Sequence, residues 1–265
     1  MSDPLPPELA EALAASVAER GVFGAQLFYA TEVGSTNDLA AQAAERGEPE
    51  GTTFVAGAQT AGRGRLGRTW FSPPGAGLYI STIVRRRVVA PWITLAGGVA
   101  VAGGIRAATG LPVQIKWPND IVAVGTAGFR ARRKLAGILA EAASGPDGVQ
   151  HIVIGMGINL RPASFPPELA DRASSIETEL GREVDAGLVL ASVLGGLNHT
   201  LASIEADGPA QVLAQWREWS PSVSGAPIEW DGGSGMSAGL DADGALLART
   251  ASGLARIVAG EVRWL

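Results

Sequence analysis

No charged residue lies between Arg87 and Arg106, so the 18 residues from Val88 to Ile105 must leave water for a bilayer or a protein core. Composition decides between the two. The stretch holds Pro91 and the glycines Gly97, Gly98, Gly103 and Gly104 among many alanines, which suits close helix packing inside a water-soluble core better than a lipid-facing surface. A helix over Ile93 to Thr109 is predicted there, and no membrane partner is expected. A chain of 265 residues, 46% hydrophobic and 18% charged, has enough apolar surface for such a core in one domain plus a small appendage. The N-terminal residues Met1 to Gly21 are acidic and amphipathic, with Leu9, Leu13 and Val17 four apart. That build is unlike a basic, apolar signal peptide and predicts a short surface helix. Zero cysteines exclude disulfides, thiol nucleophiles and thiolate metal sites, and the whole profile points to the cytoplasm.

Beyond that helix the pattern breaks into short β-like runs: Gln26 to Glu32, Thr52 to Gln59, Leu78 to Val84, Val113 to Lys116, Ile121 to Val124, Lys134 to Ala142 and Val149 to Gly155. Helical patterns interrupt them at Thr36 to Arg46, Ile93 to Thr109, Leu188 to Ala206 and Ala210 to Trp219. So few helices among so many strands predict an α+β fold, a mixed β-sheet with packed helices, rather than strict βαβ alternation. The texture changes at Pro221. Four short strands, Ile228 to Trp230, Ser237 to Leu240, Ala245 to Arg249 and Leu254 to Val258, are separated by turn signals and predict a small β-barrel. Its size requires it to pack on the main domain, which sets the division at residues 1–220 and 221–265. Pro166-Pro167 marks a long surface excursion.

With 21 Lys+Arg against 26 Asp+Glu, a formal charge of -5 and a pI near 5.2, the molecule has no global field to draw it onto DNA. Any anion site must be local. The densest candidate is Gln59-Thr60-Ala61-Gly62-Arg63-Gly64-Arg65-Leu66-Gly67-Arg68-Thr69-Trp70, where glycines let the backbone bend while N–H groups and guanidiniums converge on a phosphate or carboxylate. It lacks the Gly-Lys-Ser/Thr ending of a Walker loop and is not the dinucleotide fingerprint. Gly34-Ser35-Thr36-Asn37-Asp38 reads as a helix cap, and its hydroxyls and amide also suit a polar, uncharged ligand head. Lys116-Trp117-Pro118-Asn119-Asp120 is a turn that requires neither its lysine nor its tryptophan. Lys134 puts a cation at the mouth of the apolar strand Lys134 to Glu141, and the glycines of Ile154 to Leu160 admit a close neighbour. His151 and His199 are isolated, and Arg85-Arg86-Arg87 and the group Arg130, Arg132, Arg133 read as solvated charges.

In this order, Ser-Thr-Asn, the arginine–glycine run, Lys-Trp-Pro-Asn-Asp, Lys-Leu-Ala-Gly-Ile-Leu and Ile-Gly-x-Gly-Ile-Asn-Leu resemble the biotin–protein ligases, from about Phe28 to the C-terminus. The resemblance implies a catalytic domain of the class II aminoacyl-tRNA synthetase-like type followed by an SH3-like barrel. It implies two reactions: biotin and MgATP give biotinyl-5′-adenylate, then a lysine of a biotin carboxyl carrier domain takes the biotinyl group. By the match, Arg65, Lys134 and Asp120 are catalytic. Ser35, Thr36, Asn37, Gln59, Gly62, Arg63, Gly64, Arg65 and Lys134 bind biotin, and Arg65, Arg68, Trp70, Lys116 and Asn159 bind ATP. Mg2+ comes with the nucleotide phosphates, with no dedicated protein site. The first predicted strand begins at Gln26, which leaves no room for the winged helix of bifunctional members. A short form without a DNA-binding role is therefore implied; a homodimer is compatible with it. The 121–133 hairpin, with Gly125, Gly128 and three arginines, is longer than the family pattern.

Two other readings compete. A lipoate or octanoate ligase shares the fold but binds a linear chain, whereas Gln59 and the Ser-Thr-Asn corner favour a ureido ring. A non-catalytic anion or nucleic-acid module would use the arginine loop as a clamp, which the acidic pI disfavours.

Overall fold

The computed structural model describes residues 2–124 and 132–265; Gly125, Gly128 and Arg130 of the predicted hairpin lie outside the described residues. The N-terminal segment forms two helices, α1 (Pro7–Ala15) and α2 (Val17–Arg20). A single helix was expected, and Ser16 explains the break: its hydroxyl turns back onto the Ala12 carbonyl at 2.8 Å and competes with the ladder. Leu9 and Leu13 are buried while Val17 is 60% exposed, so the apolar stripe ends there.

The main sheet follows the mixed pattern. Strands β1 (Leu27–Ala30) and β2 (Thr53–Ala56) run parallel across helix α3 (Thr36–Glu45). Next come β3 (Gly77–Val84), helix α4 (Ile93–Thr109), the short β4 (Gln114–Lys116) and β5 (Asp120–Val122), and the long hairpin β6 (Lys134–Gly145) and β7 (Gly148–Asn159). Their order in space is β1-β2-β3-β7-β6-β5-β4, seven strands whose other pairings are antiparallel. Three helices complete this part: α5 (Ile176–Leu180), α6 (Ala186–Asp207) and α7 (Ala210–Glu218).

The register sorts the side chains. Tyr79, Gly157 and Gly137 form one row across β3, β7 and β6; Ser81, Gly155 and Leu139 form the next, and Ile83, Val153 and Glu141 the third. Alternation puts all three rows on one face. There α3 covers the far end, its Ala40, Ala43 and Ala44 packing with Phe54, Ile83 and Val153. The opposite face carries Ile138 and Ile154 beneath Gly97 of α4. Helices α4 and α6 pass closely, since a Cβ at Gly104 would meet Val193 N at 2.7 Å. The uncharged stretch is therefore core: although long and apolar enough to span a membrane, it is 67% buried inside the fold. Fully buried residues such as Ile105, Ile115 and Ile138 each contribute about 1.5–3 kcal/mol of hydrophobic stabilisation. Only 93–109 is α-helical; Arg87–Trp92 is a 3-10 segment because Pro91 cannot supply a ladder donor.

From Ser224 a second, antiparallel sheet begins. It has five strands rather than the four expected: β8 (Ser224–Trp230), β9 (Gly233–Leu240), β10 (Leu246–Thr250), β11 (Gly253–Ile257) and β12 (Val262–Trp264), ordered β11-β10-β9-β8-β12. The last strand was missed because only three residues long. Trp117 Nε1 donates to the Gly244 carbonyl at 3.1 Å, and the Val262 and Leu246 side chains join the same core as Leu95 and Leu213.

Two arginine groups differ from their solvated expectation. Arg85 caps carbonyls of Ala44 and Glu48, and Arg86 is 17% exposed, paired with Glu50 and with Glu205 at 3.3 Å. Arg133 pairs with Glu179 at 2.7 Å, and Arg132 donates to Ser222. Arg85, Arg86, Arg132 and Arg133 each meet a carboxylate, carbonyl or hydroxyl from a distant segment, which local charge pattern does not disclose.

Candidate active site

The site lies over the glycine-bearing rows of the sheet, beside the N-terminus of α3. Ser35 occupies the N-cap position but makes no cap hydrogen bond with its side chain, so the capping reading does not account for it. Thr36 gives its backbone N–H to Gln59 Oε1 at 2.9 Å, with its hydroxyl 3.1 Å away. Gln59 passes its amide to Ser72 Oγ at 2.9 Å. Ser81 Oγ stands 2.8 Å from Thr36 Oγ1 and 2.5 Å from Asn37 Oδ1. Ser35, Thr36, Asn37, Ser72 and Ser81 are all buried. Buried polar groups persist only when bonded, so this corner is a preorganised hydrogen-bonding surface.

The arginine–glycine loop crosses above it. Trp70 N–H donates to the Gly62 carbonyl at 2.9 Å and Gly64 N–H to Arg68 at 2.7 Å, while Leu66 and Gly67 take left-handed φ values of 56° and 72° to make the reversal. Arg63 Nη2 reaches Asp38 at 2.9 Å and Glu141 at 2.8 Å. Arg65 Nη1 donates to Asn119 Oδ1 at 3.1 Å, and Arg68 pairs with Glu261, the residue before β12. The Trp70 indole rests on the sheet where a Cβ at Gly157 would come within 2.5 Å of it. Asn37 makes the same demand at Gly155, whose Cβ would lie 2.2 Å from Oδ1. The close neighbours predicted for the Ile154 to Leu160 glycines are thus Trp70 and Asn37.

Lys134 Nζ forms an ion pair with Asp120 Oδ1 at 2.6 Å and sits 5.1 Å from the Trp70 ring centroid. Its backbone is held by the predicted excursion, which returns to the sheet: Lys134 N–H donates to Arg172 O at 2.8 Å and Ser174 N–H to Lys134 O at 2.9 Å. Asn159 Nδ2 donates to Ser174 O at 3.0 Å. Lys116 stands opposite Asp120 in the β4–β5 register. Burial pushes the Lys116 ammonium pKa down, with Asp120 opposing that shift. Burial likewise lowers Arg65, again against the pull of Asp120.

Two adjoining cavities result. The inner one, about 50 Å³, is lined by Ser35, Thr36, Asn37, Gln59, Arg63 and the glycine floor. The outer one, about 410 Å³, is lined by Arg68, Lys116, Asp120, Asn159, Phe165 and Glu261, among others. Gly64, Arg65, Trp70, Asn119 and Lys134 border both and form the waist between them. Of the residues predicted for the site, Gly62 alone lines neither cavity; it backs Trp70, its position leaving 2.4 Å between a Cβ and the Trp70 carbonyl. The sequence reading missed Asn119, Ser72, Ser81, Asp38 and Glu141 as site residues. Asn119 lies in a Pro-Asn-Asp turn that accounts for it locally, Asp38 and Glu141 each end a motif as an ordinary polar residue, and the serines carry no local signal.

Chemically, the inner end offers neutral donors and acceptors beside Arg63, the waist offers two cations, and the outer cavity has room for a larger ligand beside Lys116, Asp120 and Glu261. Among the described residues no group of three metal-ligating side chains occurs.

The sequence pattern of the biotin/lipoate A/B protein ligase family matches residues 29–159. The bifunctional ligase/repressor BirA of Bacillus spizizenii is 33% identical over 249 residues, covering 91% of this chain and 74% of that protein. The biotin–[acetyl-CoA-carboxylase] ligase of Mycobacterium tuberculosis is 33% identical over 207 residues, 75% of this chain and 68% of that one. Among solved structures, the biotin protein ligase from Aquifex aeolicus in complex with biotin and ATP superposes with a TM-score of 0.78 at 27% identity, covering 91% of this chain and 100% of that one.

Proposed function

The chain belongs to the biotin/lipoate A/B protein ligase family and is a ligase, and from that premise we propose that it activates biotin with ATP and transfers it to a lysine of a biotin carboxyl carrier domain. The observation that carries this reading is the sequence of environments along one trough: a neutral polar corner, a cationic waist at Arg65 and Lys134, and a larger outer cavity.

In the first step a biotin carboxylate oxygen attacks the α-phosphorus of ATP, forming the C–O–P mixed anhydride and expelling pyrophosphate. Two anions must meet, so positioning and electrostatic stabilisation dominate. The Ser35–Asn37 corner and Gln59 bind the ureido head, Arg63 and Gly64 flank it, and Arg65 with Lys134 hold the carboxylate and α-phosphate together. Trp70 walls the waist, with Arg68, Lys116 and Asn159 on the nucleotide side. In the second step the carrier lysine's amine attacks the acyl carbonyl, AMP leaves, and Asp120 accepts the proton lost. Of the two carboxylates lining the outer cavity, Asp120 and Glu261, Asp120 would be the protein neighbour of a magnesium ion held largely by the nucleotide phosphates, which would supply charge neutralisation.

The finer assignments are part of the same reading: residues 1–220 as a class II synthetase-like catalytic domain and 221–265 as an SH3-like unit, supported by the change from mixed to antiparallel sheet at Ser224. Biotin is favoured over lipoate or octanoate because a linear acyl chain would desolvate the inner polar groups without meeting the donor and acceptor capacity they have left after bonding to one another. Incubation with biotin, ATP and a purified carrier domain tests it. The carrier gains the mass of one biotinyl group on a single lysine, and an unmodified carrier at long times contradicts the proposal.

A further inference from the structure

Glu141 lines neither cavity, yet the two halves of the inner site meet on one of its oxygens. Oε2 accepts from Asn37 Nδ2 at 2.7 Å and from Arg63 Nη2 at 2.8 Å, tying α3 to the arginine–glycine loop through β6. The consequence for Asn37 is directional. A carboxylate accepts only, so Asn37 must turn its NH2 toward Glu141 and its carbonyl oxygen toward Ser81, 2.5 Å away. One hydroxyl proton serves that oxygen, and the sense of the corner's hydrogen bonds is then set from Glu141 outward. Arg63, which lines the inner cavity, meets two carboxylates, Asp38 and Glu141, that stand behind the lining, so the wall behind the inner end carries one more carboxylate than cation, opposite in sign to Arg65 and Lys134 at the waist.

We propose that Glu141 is a positioning residue: it fixes the donor–acceptor sense of Asn37, latches the loop through Arg63, and gives the trough the electrical polarity that seats an acid head-first, carboxylate at the waist. This rests on the ligase reading above for the identity of the acid, but the latch itself does not. Paired exposed charges contribute little to stability, about 0–1 kcal/mol, so the effect falls on site geometry rather than on folding. A hydrogen bond to a charged partner is strong enough for about a tenfold change in binding.

Two measurements on Glu141→Gln and Glu141→Ala, with Asp38→Ala beside them, test the proposal. In ligand-free protein, cleavage by an arginine-specific protease after Arg63 and Arg65 is expected to be about threefold to fivefold faster in all three, with the melting temperatures of Glu141→Gln and Asp38→Ala near that of the parent and that of Glu141→Ala lowered by the unpaired Asn37 amide. In pyrophosphate exchange, the Glu141 variants are expected to raise KM for biotin about tenfold with kcat reduced less than threefold; Asp38→Ala, which leaves Asn37 held, raises KM less. Wild-type cleavage rates in both Glu141 variants overturn the latch, and an unchanged KM overturns the orienting role. A parent protein inactive with biotin removes the biotin reading, while the cleavage comparison still decides the latch.

Discussion

Gly137 and Gly157 are register partners on β6 and β7, and together they form the floor under the Trp70 indole: a Cβ would stand 3.0 Å from the ring at the first position and 2.5 Å at the second. The floor places the ring beside Lys134, so one cross-strand pair fixes both the wall and the cation at the waist.

Gly157→Ala is expected to lift the indole. Overpacking of this kind costs about 1–3 kcal/mol of stability, and a displacement of about 1 Å at the reacting centre costs about 10²-fold in rate. Tryptophan fluorescence and single-turnover adenylate formation read the two effects; a variant unchanged in both shows that the floor does not place Trp70.

Lys134→Ala and Arg65→Ala should each slow adenylate formation about 10²–10³-fold, the usual loss for one transition-state donor. Lys134→Arg should recover little, because a planar fork does not replace a compact ammonium paired with Asp120. Single-turnover rates within threefold of the parent for both alanine variants would refute these roles.

Much of this was legible in the chain. The arginine–glycine loop, Lys116 and Lys134 stand out as candidates because cations occur where a strand or turn does not need them. The Ser-Thr-Asn corner, by contrast, has a local explanation as a helix cap and gains its second reading only beside the other motifs. Glu141 and Ser81 do not stand out, since each is one ordinary residue on a strand, and only register places Ile83, Val153 and Glu141 in one row. The small strand β12 is hidden for a different reason: three residues carry no periodicity, and pairing with β8 makes it a strand.

Lys116 gives a pH signature. Burial lowers its pKa in the folded protein below the ordinary 10.5, so the folded chain releases this proton before the unfolded chain does. Stability therefore rises with pH across the window between the lowered value and 10.5, and the penalty for burying the charge is fully present below that window. Denaturation of the parent and Lys116→Met at stepped alkaline pH checks it: the parent gains stability relative to the variant as pH climbs. A falling difference contradicts the assignment.

The loop from Thr60 to Trp70 is expected to open in the ligand-free protein and close over bound acid and adenylate. Half-exposed ion pairs hold it, Arg63 being 41% exposed, and a mixed anhydride needs water kept out until the carrier lysine arrives. Biotin with ATP should suppress cleavage after Arg63, Arg65 and Arg68 far more than cleavage after exposed Arg172. Equal protection at all four positions, or none, means that the loop does not close.

The central claim is that the inner corner selects a polar-headed acid for activation by ATP. ATP–pyrophosphate exchange with biotin, lipoate and octanoate supplied separately tests it most directly. The account predicts exchange with biotin alone, the linear acids falling at least about 10²-fold behind because they leave Asn37 and Gln59 facing a ligand without partners for them. Exchange with octanoate as fast as with biotin would contradict it.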